Sequence, residues 1–173
     1  EAIARDSGVS KVTIYSYFPS KEALYEAALC ARTDADMGRD IFADLDPARP
    51  AASLLRIGRQ FLKLMRADEV IGRHRTIYGE ATQQPALSRI FYDSGPRKIL
   101  DNMGQFLRAC VEAGSLEVAD LPMAAEQFLS LFLGDGHIRA MLGLGKPAAE
   151  EDERLVQASV ALFLKAYASD AKP

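Results

Sequence analysis

Apolar residues recur along most of this chain every three or four positions, the spacing of one face of an α-helix. One such stripe runs over residues 54–65, a second over 99–111 and a third from Pro122 to about Gly143. No stretch alternates apolar and polar residues in the way of a half-buried strand. The pattern therefore predicts an all-α fold of about eight helices in this chain.

Helix-breaking residues divide these stripes. Gly114 is expected to end the second helix, since glycine adopts a left-handed conformation at little cost. Asp120 and Pro122 have the composition of a helix start. The pair Gly95-Pro96 lies inside a helical pattern and predicts a kink or a break.

The last predicted helix has an unusually broad apolar stripe. It begins with four acidic residues, 150–153, where the helix dipole favours negative charge. Its apolar positions, from Leu155 to Tyr167, cover more than the single face that a helix needs to pack on one core. We expect this helix and the one before it to bury against a further surface.

The first eighteen residues have the pattern of two short crossed helices. Ser10 is suited to cap a second helix over Lys11–Tyr17, and Gly8 is suited to the turn before it. Ala4 on the first helix allows close approach, and Ile14 on the second fills the joint. The small core of this helix-turn-helix is predicted to consist of Ala4, Val9, Ile14 and Phe18.

The opposite face of the second helix carries polar and methyl-bearing side chains, which suit the major groove of DNA. Thr13 can bond to a base edge or pack its methyl group on thymine, and Lys11 can reach guanine or phosphate. Tyr15, Tyr17 and Lys21 are placed for phosphates, although an ordinary packing role is the alternative for both tyrosines. The predicted DNA-binding residues are Ser10, Lys11, Val12, Thr13, Tyr15, Tyr17 and Lys21.

The run that follows makes the pattern more specific. Pro19 ends the second helix, and Ser20 caps the next one. Residues 8–24, GVSKVTIYSYFPSKEAL, resemble the signature of the TetR family: a Gly-Val-Ser turn, a Tyr-x-Tyr-Phe helix end and a Ser-Lys-Glu cap. Only this stretch resembles the family specifically; the remainder resembles it in the number and order of helices.

The resemblance implies a ligand-responsive transcriptional regulator. Members of this family are all-helical homodimers, in which the last two long helices pair with those of the partner. Ligand pockets lie among the middle helices, and ligand binding moves the two DNA-binding heads apart. The family has one more helix before the first seen here, so a further N-terminal segment is expected.

On this basis we predict two parts: residues 1–45 hold the DNA-binding head and a connecting helix, and residues 46–173 bind ligand and dimerise. The expected function is a repressor that binds a pseudo-palindromic operator as a dimer and is released by a small molecule. The alternative is a helical small-molecule-binding protein without DNA activity. An enzyme is not expected, because no cluster of titratable residues can be assembled, and no cofactor is implied.

Two further sets of residues follow from this interpretation. Apolar and aromatic positions of the middle helices, together with one histidine, form the candidate ligand pocket: Phe61, Met65, Tyr78, Phe91, Tyr92, Met103, Phe106, Phe128, Phe132 and His137. Core packing is the alternative for each aromatic or methionine. The candidate dimer interface comprises Phe128, Leu131, Gly134, Ile138, Leu155, Ser159, Leu162, Phe163 and Ala166.

The segment around Gly136 admits two interpretations. Asp135 and His137 flank this glycine within a predicted helix, where glycine is costly. They either form a polar anchor for ligand, or Gly134 and Gly136 allow close approach of a partner helix. A tolerated kink with solvated side chains is equally consistent with the sequence.

Charge and chemistry set further bounds. The net charge of -3 argues against a nucleic-acid binder unless only a small part touches DNA, and the weak charge of the head favours the alternative function.

Cys30 and Cys110 show no metal spacing and are expected to be free thiols in a reducing cytoplasm. His74, between Arg73 and Arg75, is expected on a solvated basic face, with an anion site as the alternative. No run of 18 apolar residues occurs, so no membrane span is expected.

Overall fold

The computed structural model describes residues 2–20, 23–25, 27–28 and 41–169. In these ranges the chain forms helices and no strand, which confirms the predicted all-α class. Residues 23–25 and 27–28 are helical as well. The nine named helices are α1 (Ala2–Ser7), α2 (Lys11–Tyr17), α3 (Pro50–Met65), α4 (Asp68–Glu80), α5 (Pro85–Ser94), α6 (Pro96–Glu112), α7 (Leu121–Ser130), α8 (Asp135–Leu142) and α9 (Ala149–Tyr167).

The local signals at the N-terminus act as predicted. Gly8 turns the chain with a φ of 68°, a conformation that favours glycine. The Ser10 hydroxyl accepts a hydrogen bond from the Thr13 amide at 3.0 Å, and the Ser20 hydroxyl caps the next helix through the Ala23 amide at 3.0 Å. Lys21, Cys30 and most of the predicted connecting helix lie outside the described residues.

Helix α3 is the centre of the larger part of the molecule. Its apolar face packs on α9, and α6 packs on α7 beside it. Close packing requires Gly58 in α3, because a Cβ atom there would lie 3.0 Å from Cζ of Phe132 and 3.2 Å from Cγ1 of Val156. The largest fully buried side chains are Leu54, Ile57, Met103, Cys110, Leu107, Leu116, Phe128, Phe132 and Val156.

Two ion pairs also join α3 to α9. Arg59 donates to both carboxylate oxygens of Glu153 at 2.8 and 2.7 Å, which lowers the pKa of that carboxyl to about 2. Arg66 donates to both oxygens of Asp152 at 3.3 and 3.1 Å, and this second pair is largely buried. The acidic first turn of α9 is therefore bound to α3 and does not serve the helix dipole alone.

The third apolar stripe is not one helix. The prediction of a continuous helix from Pro122 to about Gly143 is wrong: α7 ends at Ser130, and α8 begins at Asp135 with Gly134 as its extended N-cap. Gly136 allows the loop at Pro147 to lie close to α8, because a Cβ atom at position 136 would lie 2.5 Å from Cγ of Pro147. The close neighbour of this glycine is the chain's own loop.

Other boundaries agree with the sequence. Helix α5 ends at Ser94 and α6 begins at Pro96, so Gly95-Pro96 is a break. Gly114 has a φ of 72° just after α6, and the Asp120 carboxylate caps α7 through the Met123 amide at 3.0 Å. Among the described residues, no helix is both long enough and apolar enough to cross a bilayer.

Candidate DNA-binding face and ligand cavity

Helix α2 presents one strongly exposed face. Val12 is 80% exposed and Tyr17 is 78% exposed, and Thr13 and Ser16 are exposed between them. The Thr13 and Ser10 hydroxyls lie 2.8 Å apart, and the Ser16 hydroxyl donates to the Thr13 carbonyl at 2.7 Å. The helix N-terminus therefore holds its small polar groups in fixed positions on an open surface.

The opposite side of α2 faces a cleft. Lys11 and Tyr15 line it together with Ile14, and Tyr15 remains half exposed. These two predicted DNA-binding residues therefore lie at the edge of the exposed face. Val9 is exposed, so its expected place in the small core is wrong, and the half-buried residues there are Ala4, Ile14, Phe18 and Leu24.

A cavity of about 340 Å³ lies among the middle helices. Its walls are mostly aromatic and aliphatic with few polar groups, as in many small-molecule sites. The contributing helices are α3, α4, α5, α6 and α7. The lining residues are Phe61, Met65, His74, Tyr78, Tyr92, Pro96, Ile99, Leu100, Glu126, Leu129, Ser130 and Leu133.

The structure separates the predicted pocket residues into two groups. Phe61, Met65, Tyr78 and Tyr92 line the cavity. The other aromatic and methionine residues are buried and do not line it, which corrects the prediction for Phe91, Met103, Phe106, Phe128 and Phe132. Phe128, for example, packs edge-on against Phe132 and Phe163, with ring centroids 5.2 and 5.1 Å apart.

The prediction for His74 is wrong as well, because the side chain is only 7% exposed. It shares the buried face of α4 with Val70, Ile71 and Ile77, at helical spacing. Its ring stacks on Tyr78 at 5.6 Å. The helical period, which turns residue 74 away from its two arginine neighbours, could have identified this position.

His74 lines the cavity and has one buried ring nitrogen without a partner. Its Nδ1 is buried and has no hydrogen-bond partner among the described residues. The pKa of the His74 ring is lowered to about 4, first by burial and then by the charges of the nearby His137 and Arg73. The ring is therefore neutral near pH 7. A buried polar atom without a partner costs about 1–3 kcal/mol.

His137 does not line this cavity, which corrects its assignment to the pocket. It lies in α8, where burial and then the Arg66 charge lower its pKa. The C-terminal end of α8 is capped by Arg75 of α4, which donates to the carbonyls of Met141 and Ala140 at 2.7 and 2.5 Å. A guanidinium at a helix C-terminus stabilises the dipole of that helix.

The predicted dimer residues are also divided. Phe128, Ser159 and Phe163 are buried in the core of their own subunit, so they are not available to a partner. Leu131 and Leu155 are half-buried. The exposed members of the predicted set are Gly134, Ile138, Leu162 and Ala166, of which Leu162 is 58% and Ile138 54% exposed.

No group of three or more potential metal-ligating side chains comes together in the described part of the chain. Cys110 is buried, and burial raises the pKa of its thiol to about 11. The thiol is therefore neutral at ordinary pH and a poor nucleophile.

Both parts of the chain match sequence models of known families. Residues 1–28 match the bacterial regulatory proteins of the tetR family, and residues 52–169 match the C-terminal domain of AefR-like transcriptional repressors. The chain belongs to the TetR family. The face of α2 is thus part of the helix-turn-helix of a DNA-binding transcriptional regulator.

Solved structures of regulators have the same fold. The flavonoid-responsive regulator FrrA is 36% identical; the match covers 98% of this chain and 86% of FrrA, with a TM-score of 0.81. A putative TetR-family regulator from Mesorhizobium loti is 23% identical, over 96% of this chain and 84% of its own, with a TM-score of 0.80. A regulator from Agrobacterium tumefaciens is 22% identical, with coverages of 96% and 82% and a TM-score of 0.78.

The last two structures share less than a quarter of their residues with this chain, so they show the fold alone. No curated protein matches the chain in sequence. TetR-family proteins are regulators, and their dimers bind DNA and respond to small-molecule effectors.

Proposed function

We propose that this TetR-family regulator is a repressor that binds a pseudo-palindromic operator as a homodimer and is released by a small molecule bound in the cavity. The cavity of about 340 Å³ carries this proposal, because it is mostly apolar and includes a buried, unsatisfied histidine. A wall of this kind is suited to a small organic ligand. Residues 1–45 form the DNA-binding head in this proposal, and residues 46–173 form the ligand-binding and dimerisation part.

The head is assigned to DNA through the exposed face of α2. Val12 and Thr13 are the proposed base-contacting residues, since both project from the N-terminal half of the helix. The other proposed contacts, mainly to phosphates, are Ser10, Lys11, Tyr15, Tyr17 and Lys21.

The effector class is proposed from FrrA, the relative that is 36% identical over nearly the whole chain. FrrA is a flavonoid-responsive regulator. A multi-ring phenolic compound is therefore the first class to test for this chain. Tyr78, Tyr92 and Phe61 line the cavity with aromatic rings against which such a compound can stack.

Release requires that the effector bind one arrangement of the two heads better than the other. Helix α4 supports such coupling, because it carries His74 at the cavity and Arg75 on the C-terminus of α8. Helix α8 in turn exposes Ile138 on the proposed dimer face.

The test begins with selection of bound sequences from random duplex DNA. We expect enrichment of a two-fold symmetric site whose half-sites lie about one duplex turn apart or a multiple of it. Binding to that site should fall steeply with salt, because phosphate contacts release counterions, and a flavonoid should weaken it. Lack of any enriched sequence would favour the alternative, a helical ligand-binding protein without DNA activity.

A further inference from the structure

We propose that the cavity selects an uncharged aromatic compound whose hydroxyl groups hydrogen-bond to His74 and Glu126. This inference rests on the proposed role of the cavity as the effector site and adds what the effector must carry. His74 belongs to α4 and Glu126 to α7, so one ligand would join two helices.

The first observation is the state of the His74 ring. More than nine-tenths of this side chain is buried, and its ring lines the cavity. Its Nδ1 has no hydrogen-bond partner among the described residues and almost no accessible surface, so a ligand in the cavity would pair with Nε2. Tyr78 stacks on the ring and Phe91 lies nearly perpendicular to it, with centroids 5.6 and 5.3 Å away. A ligand hydroxyl can both donate and accept, so it can pair with a nitrogen of a neutral imidazole in either tautomer.

The second observation is the charge of the wall. Of the described lining residues, Glu126 carries the sole formal charge. An anionic ligand inside the cavity would be repelled by this carboxylate, and the cavity wall has no cation to compensate. Arg97 and Arg108 line an adjoining groove and not this wall. A cation could pair with Glu126, but towards His74 it would meet the field of Arg73, which already disfavours a proton on that ring. A neutral hydroxyl avoids both costs and donates to the carboxylate.

The third observation is the position of Glu126. Together with Tyr92 and Leu100, it also lines an adjoining open groove of about 560 Å³. The cavity and the groove therefore share this wall, and Glu126 lies where the cavity meets the groove. A ligand hydroxyl at Glu126 keeps access to water, whereas one at His74 is enclosed.

Size and shape limit the ligand further. The cavity volume is near the lower end of the roughly 300–1,000 Å³ range of small-molecule sites. A compound of two or three rings therefore fits this cavity. Phe61, Tyr78 and Tyr92 are the aromatic side chains against which its rings can stack.

The experiment is calorimetric titration of the full chain with three probes. The first probe is 4′,5,7-trihydroxyflavanone. The second is unsubstituted flavanone, which lacks the three hydroxyl groups of the first. The third is the lipophilic cation tetraphenylphosphonium. We expect the trihydroxy compound to bind at least about tenfold more tightly than flavanone, the size of effect of one or two hydrogen bonds. Tetraphenylphosphonium should bind more weakly than the trihydroxy compound.

The variants assign this preference to residues. His74→Phe keeps a ring between Tyr78 and Phe91 but removes the nitrogens, so the preference for the trihydroxy compound should fall several-fold while flavanone binding persists. Glu126→Gln should reduce the preference by a smaller factor. His137→Phe is the matched control, because His137 is half-buried and does not line the cavity. The preference of this variant should equal that of the wild type.

Several outcomes would overturn the inference: equal binding of the two flavanones, tighter binding of the cation, no binding of the trihydroxy compound, or an unchanged preference in a folded His74→Phe variant. Operator binding with each probe separates this inference from the proposed function. Release by both flavanones alike would support an effector site and contradict the role of hydroxyl groups. Hydroxyl-dependent binding without a change in operator affinity would support the inference and contradict ligand-controlled repression.

Discussion

Thr13 projects from the exposed face of α2, and its hydroxyl lies 2.8 Å from that of Ser10. If it contacts a base edge, Thr13→Ala should weaken binding to the selected operator by about 1–3 kcal/mol. Binding to random DNA should change much less, because phosphate contacts do not depend on sequence. Fluorescence anisotropy with both DNAs measures the two effects.

The matched control for this variant is Thr76→Ala. Thr76 is an exposed threonine of α4 whose hydroxyl bonds only within its own helix, to the Gly72 carbonyl at 3.1 Å. It should bind both DNAs as the wild type does. An equal loss of affinity for operator and random DNA in Thr13→Ala would contradict base contact.

His74 should make stability depend on pH. The pKa of this ring is about 4 in the folded chain and near 6.5 in the unfolded chain, so between these values only the unfolded chain takes up the proton. The stability contribution is therefore complete above about pH 6.5 and is lost as the pH falls towards 4. The loss should reach about 2–3 kcal/mol by about pH 4.5.

Urea unfolding at about pH 7.5 and pH 4.5 measures this dependence, with His74→Phe as the comparison. The variant cannot take up a proton at this position, so it should lose less stability on acidification than the wild type. Identical pH profiles for the two proteins would mean that the His74 ring is solvated or charged in the folded state.

Two glycines of the helices should respond oppositely to alanine. At Gly136 a Cβ atom would lie 2.5 Å from Cγ of Pro147, so Gly136→Ala should cost about 1–3 kcal/mol through overpacking. Gly72 in α4 has no atom within 4 Å of its Cβ position. Gly72→Ala should therefore stabilise by about 0.5–1 kcal/mol, since alanine favours helix. Thermal unfolding of both variants measures these two effects. Stabilisation by both substitutions would rule out the close contact between Gly136 and Pro147.

Single-residue signals were readable from the sequence where the chemistry is local. Ser10, Ser20 and Asp120 cap helices because each can reach an amide three residues away, whatever the rest of the fold does. His74 was misassigned because its two arginine neighbours dominated the pattern. Its burial depends on the helix phase of α4 and on which surface covers that face, and the second of these is a property of the tertiary fold.

At the scale of elements, the break between α7 and α8 shows what periodicity omits. Residues 131–133 continue the apolar pattern, so it does not predict that α7 ends at Ser130. Gly134 and Gly136 are the local signals of a break, which the sequence analysis weighed only as a kink or a close approach. Distant contacts hold α8 at both of its ends. Pro147 lies against Gly136, and Arg75 caps the far end of the helix.

Arg75 tests this account of α8. Arg75→Met keeps an unbranched apolar stem but removes the two bonds to Met141 and Ala140. We expect a loss of about 1–2 kcal/mol, with faster amide hydrogen exchange concentrated in α8. Arg49→Met is the control, because Arg49 forms a strongly exposed pair with Asp46 and should matter little. Unchanged exchange in α8 would refute the role of this cap.

At the scale of the whole molecule, the sequence could predict the family and the helix order but not which aromatic residues enclose a cavity. Phe61 and Phe132 lie on similar apolar stripes and contact each other, with ring centroids 6.0 Å apart. One lines the cavity and the other is fully buried beside it. The difference arises from how α3 lies against the turn after α7 that holds Phe132, and periodicity within one helix does not encode that arrangement.

The same reasoning divides the broad stripe of α9 between the core and the proposed dimer face. Phe163 and Val160 are buried in the core, whereas Leu162 is 58% exposed. An exposed leucine tolerates a charge in an isolated subunit, but a charge in a dimer interface loses its hydration without a partner. Leu162→Glu should therefore yield folded monomers, seen by sedimentation and circular dichroism, and these should bind the operator weakly.

Val111→Glu is the matched control, because Val111 is an exposed apolar residue at the end of α6, outside the proposed interface helices. It should remain a dimer with unchanged operator affinity. A Leu162→Glu variant that stays dimeric would place the interface elsewhere. A monomer that still bound the full operator as tightly as the wild type would contradict the requirement for two heads held on one two-fold axis.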